Sequence, residues 1–313
     1  MPHLSFAFRR HLTLTLVSLA ALLGGCAMQV PAPALSGPAI TIYAAGDIAD
    51  CRWRLPSLSG AAATAALLTP LLAADPEARV LALGDLTYPV GLPAEFTDCY
   101  APTWGRFRER TLPVPGNHEY YTPLAPGYYG YFGAAAAPER SGHYAVQLGS
   151  WRVIAINSAI SGPAAEAQLE WLRAELSEHR SRCTLAFWHH PRFSSGGHGD
   201  NARLAPIWTL LAEAGADLAL SGHDHDYERL APQDSAGRRD DAHGLRQFVV
   251  GTGGAQLTPF LFTSANSERR DNSTHGVLRL ALRDDGYEWE FLGVAGNFQD
   301  KGAARCHARS AAK

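Results

Sequence analysis

The stretch LALSGHDHDYERL, residues 218–230, ends an apolar run with His223, Asp224, His225 and Asp226 in consecutive positions. A solvated turn accounts for the two carboxylates but gives no reason for imidazoles two residues apart directly after a strand. Asp47, Asp85, Tyr88, Asn117, His118 and His189 also stand at or just beyond the ends of apolar runs. Imidazole nitrogens and carboxylate, amide and phenol oxygens are the donors that hold divalent and trivalent cations, and imidazoles also move protons near neutral pH. Any one of these residues alone caps a helix or packs in a core. Strand ends that aim all of them at one rim would concentrate polar groups without compensation unless cations bind there. Two neighbouring cations repel strongly, so a carboxylate must lie between them. Asp85 is the expected bridge, and His223 and His225, on a strand-end loop, can point to different ions. Asp224 and Asp226 are then expected to orient the imidazoles or to be solvated.

The elements that must position these groups are short. AITIYAAGD, RVLALGD, TLPVPGNHE, WRVIAINS, CTLAFWHHP, ADLALSGHDHD and RQFVVGTGG read as buried strands that end in glycine or a polar cluster. PAAEAQLEWLRAELSEH places Ala167, Leu169, Trp171, Leu172 and Leu176 at near-helical spacing, and LAPIWTLLAEAG stops at Gly215. This alternation predicts crossovers between parallel strands and an α/β architecture, with ligands at the carboxyl ends of the strands. The late segment HGVLRLALRDDGYEWEFLGV alternates around DDG, as a β-hairpin does. GTGGA at 251–255 has no lysine and opens no obvious helix, so close backbone packing is expected of it rather than phosphate cradling.

In order along the chain, GD at 46–47, GDLTY at 84–88, GNHE at 116–119, WHH at 188–190 and GHDH at 222–225 resemble the five motif blocks of the calcineurin-like metallophosphoesterases. The tyrosine of GDLTY is similar to that of purple acid phosphatases. The resemblance spans about residues 40–255. It implies a four-layer αββα sandwich of the metallo-dependent phosphatase type, with two central mixed β-sheets flanked by helices. It implies Asp47, Asp85, Tyr88 and His225 as ligands of one metal, and Asp85, Asn117, His189 and His223 as ligands of the other. His189 is preferred over His190 because the family's ligand stands two residues before a proline, here Pro191; His190 is expected beside the site. His118 and, in the Gly-rich SSGGHGD loop, His198 are implied as the residues that contact substrate and protonate the leaving group. Phenolate ligation calls for a strongly acidic ion, so Fe(III) is expected with Zn, Fe or Mn as its partner. The implied reaction is attack of a metal-bound hydroxide on the phosphorus of a small phosphomonoester. A phosphodiesterase or nucleotidase on the same site, and a non-catalytic metal-binding surface lipoprotein, are the alternatives. His143, His243, His275 and His307 have no motif around them and are expected to be structural or at the surface.

The chain has 313 residues, 46% of them hydrophobic, enough for a sizeable core. A formal net charge of −3 offers no broad basic surface, so nucleic acid is not an expected partner. Arg9, Arg10 and His11 precede the apolar run LTLTLVSLAALL and then LGGC, which resembles a bacterial lipoprotein signal over 1–25 with lipidation at Cys26. An ordinary secretory signal is the alternative, and Arg9–Arg10 weakly resembles a twin-arginine export signal. On this reading the protein is exported and anchored to a membrane by Cys26, in the periplasm or at the cell surface. A Pro-rich tether over 26–37, a domain over 38–300 and a tail over 301–313 follow. Cys51, Cys99, Cys183 and Cys306 remain, none in paired Cys-x-x-Cys spacing, which favours disulfides in an oxidising compartment. Three pairings are open. The expected one joins Cys51 to Cys99 and Cys183 to Cys306, because Cys51 and Cys99 each follow a candidate metal aspartate.

Overall fold

The apolar runs become strands β1 (Ile40–Ala45), β2 (Arg79–Leu83), β3 (Thr111–Val114), β4 (Tyr144–Leu148), β5 (Trp151–Ala155), β6 (Cys183–Phe187), β7 (Leu218–Ser221), β8 (Tyr227–Leu230), β9 (Arg246–Val250), β10 (Ser267–Asp271), β11 (Gly276–Arg283), β12 (Gly286–Gly293) and β13 (Lys301–Arg305). This computed structural model describes residues 1–3, 33–137 and 140–307. The expected signal segment beyond its third residue, Cys26 and the first part of the tether lie outside the described residues. Met1–Pro31 and Ala32–Lys313 are separate units, and all thirteen strands belong to the second. No helix among the described residues is long and apolar enough to cross a membrane.

The strands form two mixed sheets, ordered β13-β12-β11-β1-β2-β3 and β10-β8-β9-β7-β6-β5-β4. The inner strands run parallel, β1 to β2 to β3 in one sheet and β5 to β6 to β7 to β9 in the other. Side chains alternate across a strand, and here that alternation separates two cores. In the seven-stranded sheet Val153, Ala155, Leu185, Phe187, Leu218 and Leu220 enter the large core shared with the other sheet. Ile154, Ile156, Ala186 and Ala219 face the opposite way, against Leu172, Ile207, Trp208 and Leu211 of the helices Pro163–Glu178 and Ala205–Glu213. The helix Gly60–Ala74 buries Ala61, Ala65, Leu68 and Leu72 in the large core with the six-stranded sheet. The expected layering of two mixed sheets with helices is therefore present.

The helix over 163–178, the stop at Gly215 (φ 71°) and the β11–β12 hairpin agree with the sequence reading. Both disulfides have the expected pairing, Cys51–Cys99 and Cys183–Cys306. The boundary at residue 300 does not hold. Lys301–Arg305 pairs with β12 as the sheet's edge strand, and the next residue, Cys306, is bonded to Cys183 in β6. KGAAR has no β-branched or aromatic residue to announce a strand, so its pairing comes from the neighbour and the disulfide.

Candidate metal centre

The carboxyl ends of the parallel strands converge where the two sheets meet. Gly46, just past β1, donates its N–H to the Val250 carbonyl of β9 at 2.9 Å, and His189 Nδ1 lies 2.9 Å from the Leu83 carbonyl of β2. Asp47 follows β1, Asp85 and Tyr88 follow β2, Asn117 and His118 follow β3, His189 follows β6, and His223 and His225 follow β7. Asp47 (φ 59°), Asp85 (φ 48°) and His223 (φ 75°) hold left-handed backbone conformations that non-glycine residues avoid. Such conformations persist only where the surroundings over-determine them, and they cluster at functional sites.

Every residue expected as a ligand is brought into one of two adjoining groups. In the first, His225 Nε2 lies 3.1 Å from the Tyr88 hydroxyl and 3.3 Å from Asp47 Oδ1, and the Tyr88 hydroxyl is 3.1 Å from Asp47 Oδ1. In the second, His189 Nε2 lies 3.1 Å from Asp85 Oδ2, 3.1 Å from Asn117 Oδ1 and 3.2 Å from His223 Nδ1. The groups touch: donor atoms of Asp47, Asp85 and His189 lie within 4.8 Å of one another. The tautomers are set from behind. His189 gives its Nδ1–H to the Leu83 carbonyl and His225 gives its Nδ1–H to the Gln256 carbonyl at 2.7 Å, which turns both Nε2 atoms inward. A donor set of two carboxylates, an amide, a phenol and three imidazoles, oriented this way, fits a pair of cations.

The family's sequence profile for calcineurin-like phosphoesterases matches residues 40–227. The chain belongs to that family. Curated relatives match over shorter segments: purple acid phosphatase 17 of Arabidopsis thaliana at 34% identity, over 22% of this chain and 21% of that protein. Glycerophosphodiester phosphodiesterase GpdQ of Enterobacter lignolyticus matches at 30%, over 33% of this chain and 37% of that protein. The chain thus spans well under half the length of these relatives. Among solved structures, a purple acid phosphatase from yellow lupin seeds superposes with a TM-score of 0.67 at 19% identity, covering 88% of this chain and 55% of that one. GAP50 of Plasmodium, described as the anchor in the inner membrane complex, gives 0.67 at 13%, over 88% and 90%. At such identities these two bear on the fold.

Within this phosphoesterase chain the charges are strongly coupled. Burial opposes charge on His189, yet the Asp85 carboxylate beside it raises it to about 9; Asp47 does the same for His225, also against burial and also to about 9. Asp85 is held below the ordinary carboxylate range because the imidazolium of His189 outweighs its burial. Burial, reinforced by His189, pushes His223 down, and the same pair of causes brings His190 to about 3. Burial, then the charge of Asp47, lifts Tyr88 well above a normal phenol. The metal-free chain therefore stores protons on His189, His225 and Tyr88 that bound cations must displace.

His118 lies between Tyr88 and Tyr121, with ring centroids 4.3 and 4.7 Å away. Its Nδ1 is 2.6 Å from the Pro89 carbonyl and its Nε2 is 3.8 Å from Asp85 Oδ2, so the ring is turned toward the candidate cation site. The His198 ring centroid is 4.0 Å from that of His223. His118, His198, Tyr121 and His190 line a cavity of about 320 Å³ over Asp85, Asn117, His223 and His225. His190 holds the Ser158 hydroxyl at 2.9 Å, beside the ligands as expected.

Two expectations about the GHDHD stretch change. Asp224 does not orient a ligand: its Oδ1 takes the His198 backbone N–H and ring Nδ1, each at 2.9 Å, and its Oδ2 takes the Ser194 hydroxyl at 2.5 Å. Asp226 is fully buried, and among the described residues neither of its oxygens has a hydrogen-bond partner, so it does not orient a candidate ligand. Sequence reasoning also passed over Glu119, the last residue of GNHE. It is buried and accepts the N–H groups of Asp85 at 3.0 Å, Leu86 at 2.8 Å and Gly116 at 2.7 Å, which ties the β2 and β3 loops together. Its position as the third residue of a short helical turn was the available signal. GTGGA packs backbone to backbone as expected, with Gly253 donating to the Gly46 carbonyl at 2.9 Å and Ala255 to the Asp47 carbonyl at 2.8 Å.

Proposed function

We propose that the chain is a binuclear phosphomonoesterase of the purple acid phosphatase kind, with Fe(III) held by Asp47, Asp85, Tyr88 and His225, and Zn, Fe or Mn held by Asp85, Asn117, His189 and His223. The observation that carries this reading is the Tyr88 hydroxyl placed 3.1 Å from both Asp47 Oδ1 and His225 Nε2. A buried phenol next to a carboxylate gives up its proton only to a strongly acidic ion. Bound cations would ionise a water and place positive charge against the phosphoryl oxygens. The chain's own side chains do the rest. His118, fixed by donating its Nδ1–H to the Pro89 carbonyl, turns Nε2 toward the phosphoryl group. His198, raised by its hydrogen bond to Asp224, would pass a proton to the departing oxygen.

A phosphodiesterase on the same site is the second reading, supported by the 30% identity to the glycerophosphodiester phosphodiesterase over 114 residues. Turnover of p-nitrophenyl phosphate well above that of bis(p-nitrophenyl) phosphate supports the monoesterase, and the reverse order supports the diesterase. Elemental analysis with a visible spectrum tests the metals. The expected result is two ions per chain and a charge-transfer band that Tyr88→Phe abolishes; a colourless iron-free dizinc protein refutes the Fe(III) assignment. Export and lipid attachment at Cys26 are part of the same proposal. The two disulfides, uncommon in a reducing cytosol, support export. Mass spectrometry of the mature N-terminus checks the lipid.

A further inference from the structure

We propose that the metal-site end of the domain is a docking surface for an anionic lipid bilayer. Exposed apolar side chains scattered singly are ordinary on a folded protein, but their collection at one pole is not. From residue 33 onward, every exposed large apolar side chain among the described residues lies on a segment that leaves the metal-site end of a strand. Trp53 is 87% exposed after β1, Leu124 80% after β3 and Leu261 69% after β9. Leu92 follows β2, Phe262 stands beside Leu261, and Val294 follows β12, which runs parallel to β1 because each is antiparallel to β11. The turns at the opposite pole carry charge instead: Asp75 and Glu77 before β2, Arg180 and Arg182 before β6, and Asp284 and Asp285 between β11 and β12.

The loop tips are built to hold these side chains out. Pro56, Pro93, Pro123 and Pro259 stand one in each of four tips and remove freedom that would let the chain fold back. The Cys51–Cys99 disulfide fastens the first tip; in the last, Arg270 Nη1 donates to the Phe262 carbonyl at 3.1 Å and the Ser264 N–H donates to Ser195 Oγ at 2.8 Å. Residues 52–58, 90–94, 121–127 and 256–266 contain no carboxylate, and their charged residues are Arg52 and Arg54, on either side of Trp53. Arg52 is paired at 2.7 Å with Asp50, whose side chain is 12% exposed, so Arg54 sets the charge of that tip. Glu95 turns its carboxylate back onto the N–H groups of Val90 and Leu92, at 3.3 and 3.1 Å. An indole and leucines on loop tips, with guanidinium groups beside them, match the interfacial layer of a bilayer, where apolar side chains reach the acyl boundary and arginine meets lipid phosphate. A folded protein partner calls for a contiguous apolar core in the patch. Here the polar cavity lies among the tips instead, with Tyr121 in its lining and Phe262 against Gly199, next to His198. Docking in this way turns the mouth of that cavity to the headgroup layer.

The test uses the metal-loaded protein and vesicles of phosphatidylcholine with phosphatidylglycerol whose acyl chains are brominated. Trp53 alone among the described tryptophans is exposed, and residues 1–52 contain none, so quenching of indole emission reads this tip and not a lipid at Cys26. The vesicles should quench the emission, and Trp53→Phe should remove that quenching. Leu261→Ser should raise the lipid concentration at half-quenching by about tenfold and Arg54→Gln by about fivefold, both with the parental thermal transition. No quenching, or quenching that survives Trp53→Phe, overturns the docking surface. Quenching as strong with phosphatidylcholine alone and unmoved by Arg54→Gln overturns the anionic character of the partner. A concentration-dependent dimer that Leu261→Ser dissolves, without quenching by vesicles, overturns the proposal in favour of a second copy of the chain.

Discussion

Gly116 has ordinary backbone torsions, so a methyl group added there acts through space alone. Its Cβ would stand 2.1 Å from Asp85 Oδ1, 2.5 Å from the Asp85 nitrogen and 2.8 Å from His189 Cδ2. None of these is the loose end of a long side chain, because Asp85 is pinned by the His118 N–H at 2.9 Å and by Glu119 from behind. To reach ordinary contact at 3.4 Å the Asp85 carboxylate must retreat by about 1 Å in a close-packed interior. Overpacking of this size costs about 1–3 kcal/mol of fold stability, which a domain of this size survives. The effect on the site is larger in proportion, since Asp85 is the carboxylate proposed to be shared by both cation positions and about 1 Å of misplacement costs on the order of a hundredfold in rate. Gly116→Ala should therefore keep a cooperative thermal transition while losing metal content and about two orders of magnitude in kcat. Gly130→Ala, where nothing lies within 4 Å of the added carbon, is the control and should be neutral or slightly stabilising. Elemental analysis and p-nitrophenyl phosphate turnover read the outcome. A Gly116→Ala protein that holds both ions and turns over at the parental rate refutes the idea that close approach of these loops sets the site.

Asp85→Ala should release both ions and Asn117→Ala one, each with near-complete loss of turnover; full metal content in Asp85→Ala would remove it as the bridge. His198→Ala should slow alkyl phosphates far more than p-nitrophenyl phosphate, because only the poorer leaving group needs a proton. Equal slowing of the two refutes its role as acid. In the metal-free chain His189 and His225 are raised to about 9 from the ordinary imidazole value of about 6.5. Their stabilising contribution is complete below pH about 6.5 and is lost as pH rises through about 9. Thermal scans of the chelated protein should show Tm falling across that window, and metal uptake there should release protons to a pH indicator. A chelated protein whose Tm rises over the same window contradicts the pairing of these imidazoles with Asp85 and Asp47.

The convergence of the candidate donors was legible because each proposed ligand stands at the end of an apolar run. What stayed hidden was the work of residues that touch no cation. Asp224 reads as one of four polar positions in a row, and its partner His198 lies in a loop 26 residues earlier that no periodicity connects to it. Glu119 sits inside a motif whose ligand draws attention first. Its function is to satisfy buried backbone donors on another strand's loop, and local pattern does not register long-range backbone satisfaction. The edge strand Lys301–Arg305 was lost for a related reason, since its pairing is imposed by β12 and a distant cysteine rather than by its own composition.

The glycines of the motif blocks connect these two kinds of information. In GNHE the glycine admits Asp85 from the β2 loop, and in GHDH the glycine at 222 admits Asp47, whose Oδ2 would be 2.5 Å from an added Cβ. Asp47 Oδ2 is there because it accepts the His223 N–H at 2.8 Å, so the carboxylate of one strand end holds the backbone of another. Each such glycine thus marks where a ligand from a neighbouring strand must enter, and the ligand types alone would not have fixed their mutual distances. A sequence that kept all seven candidate donors but lost either glycine would still look like a metal site, and its donors would stand too far apart to meet at one site.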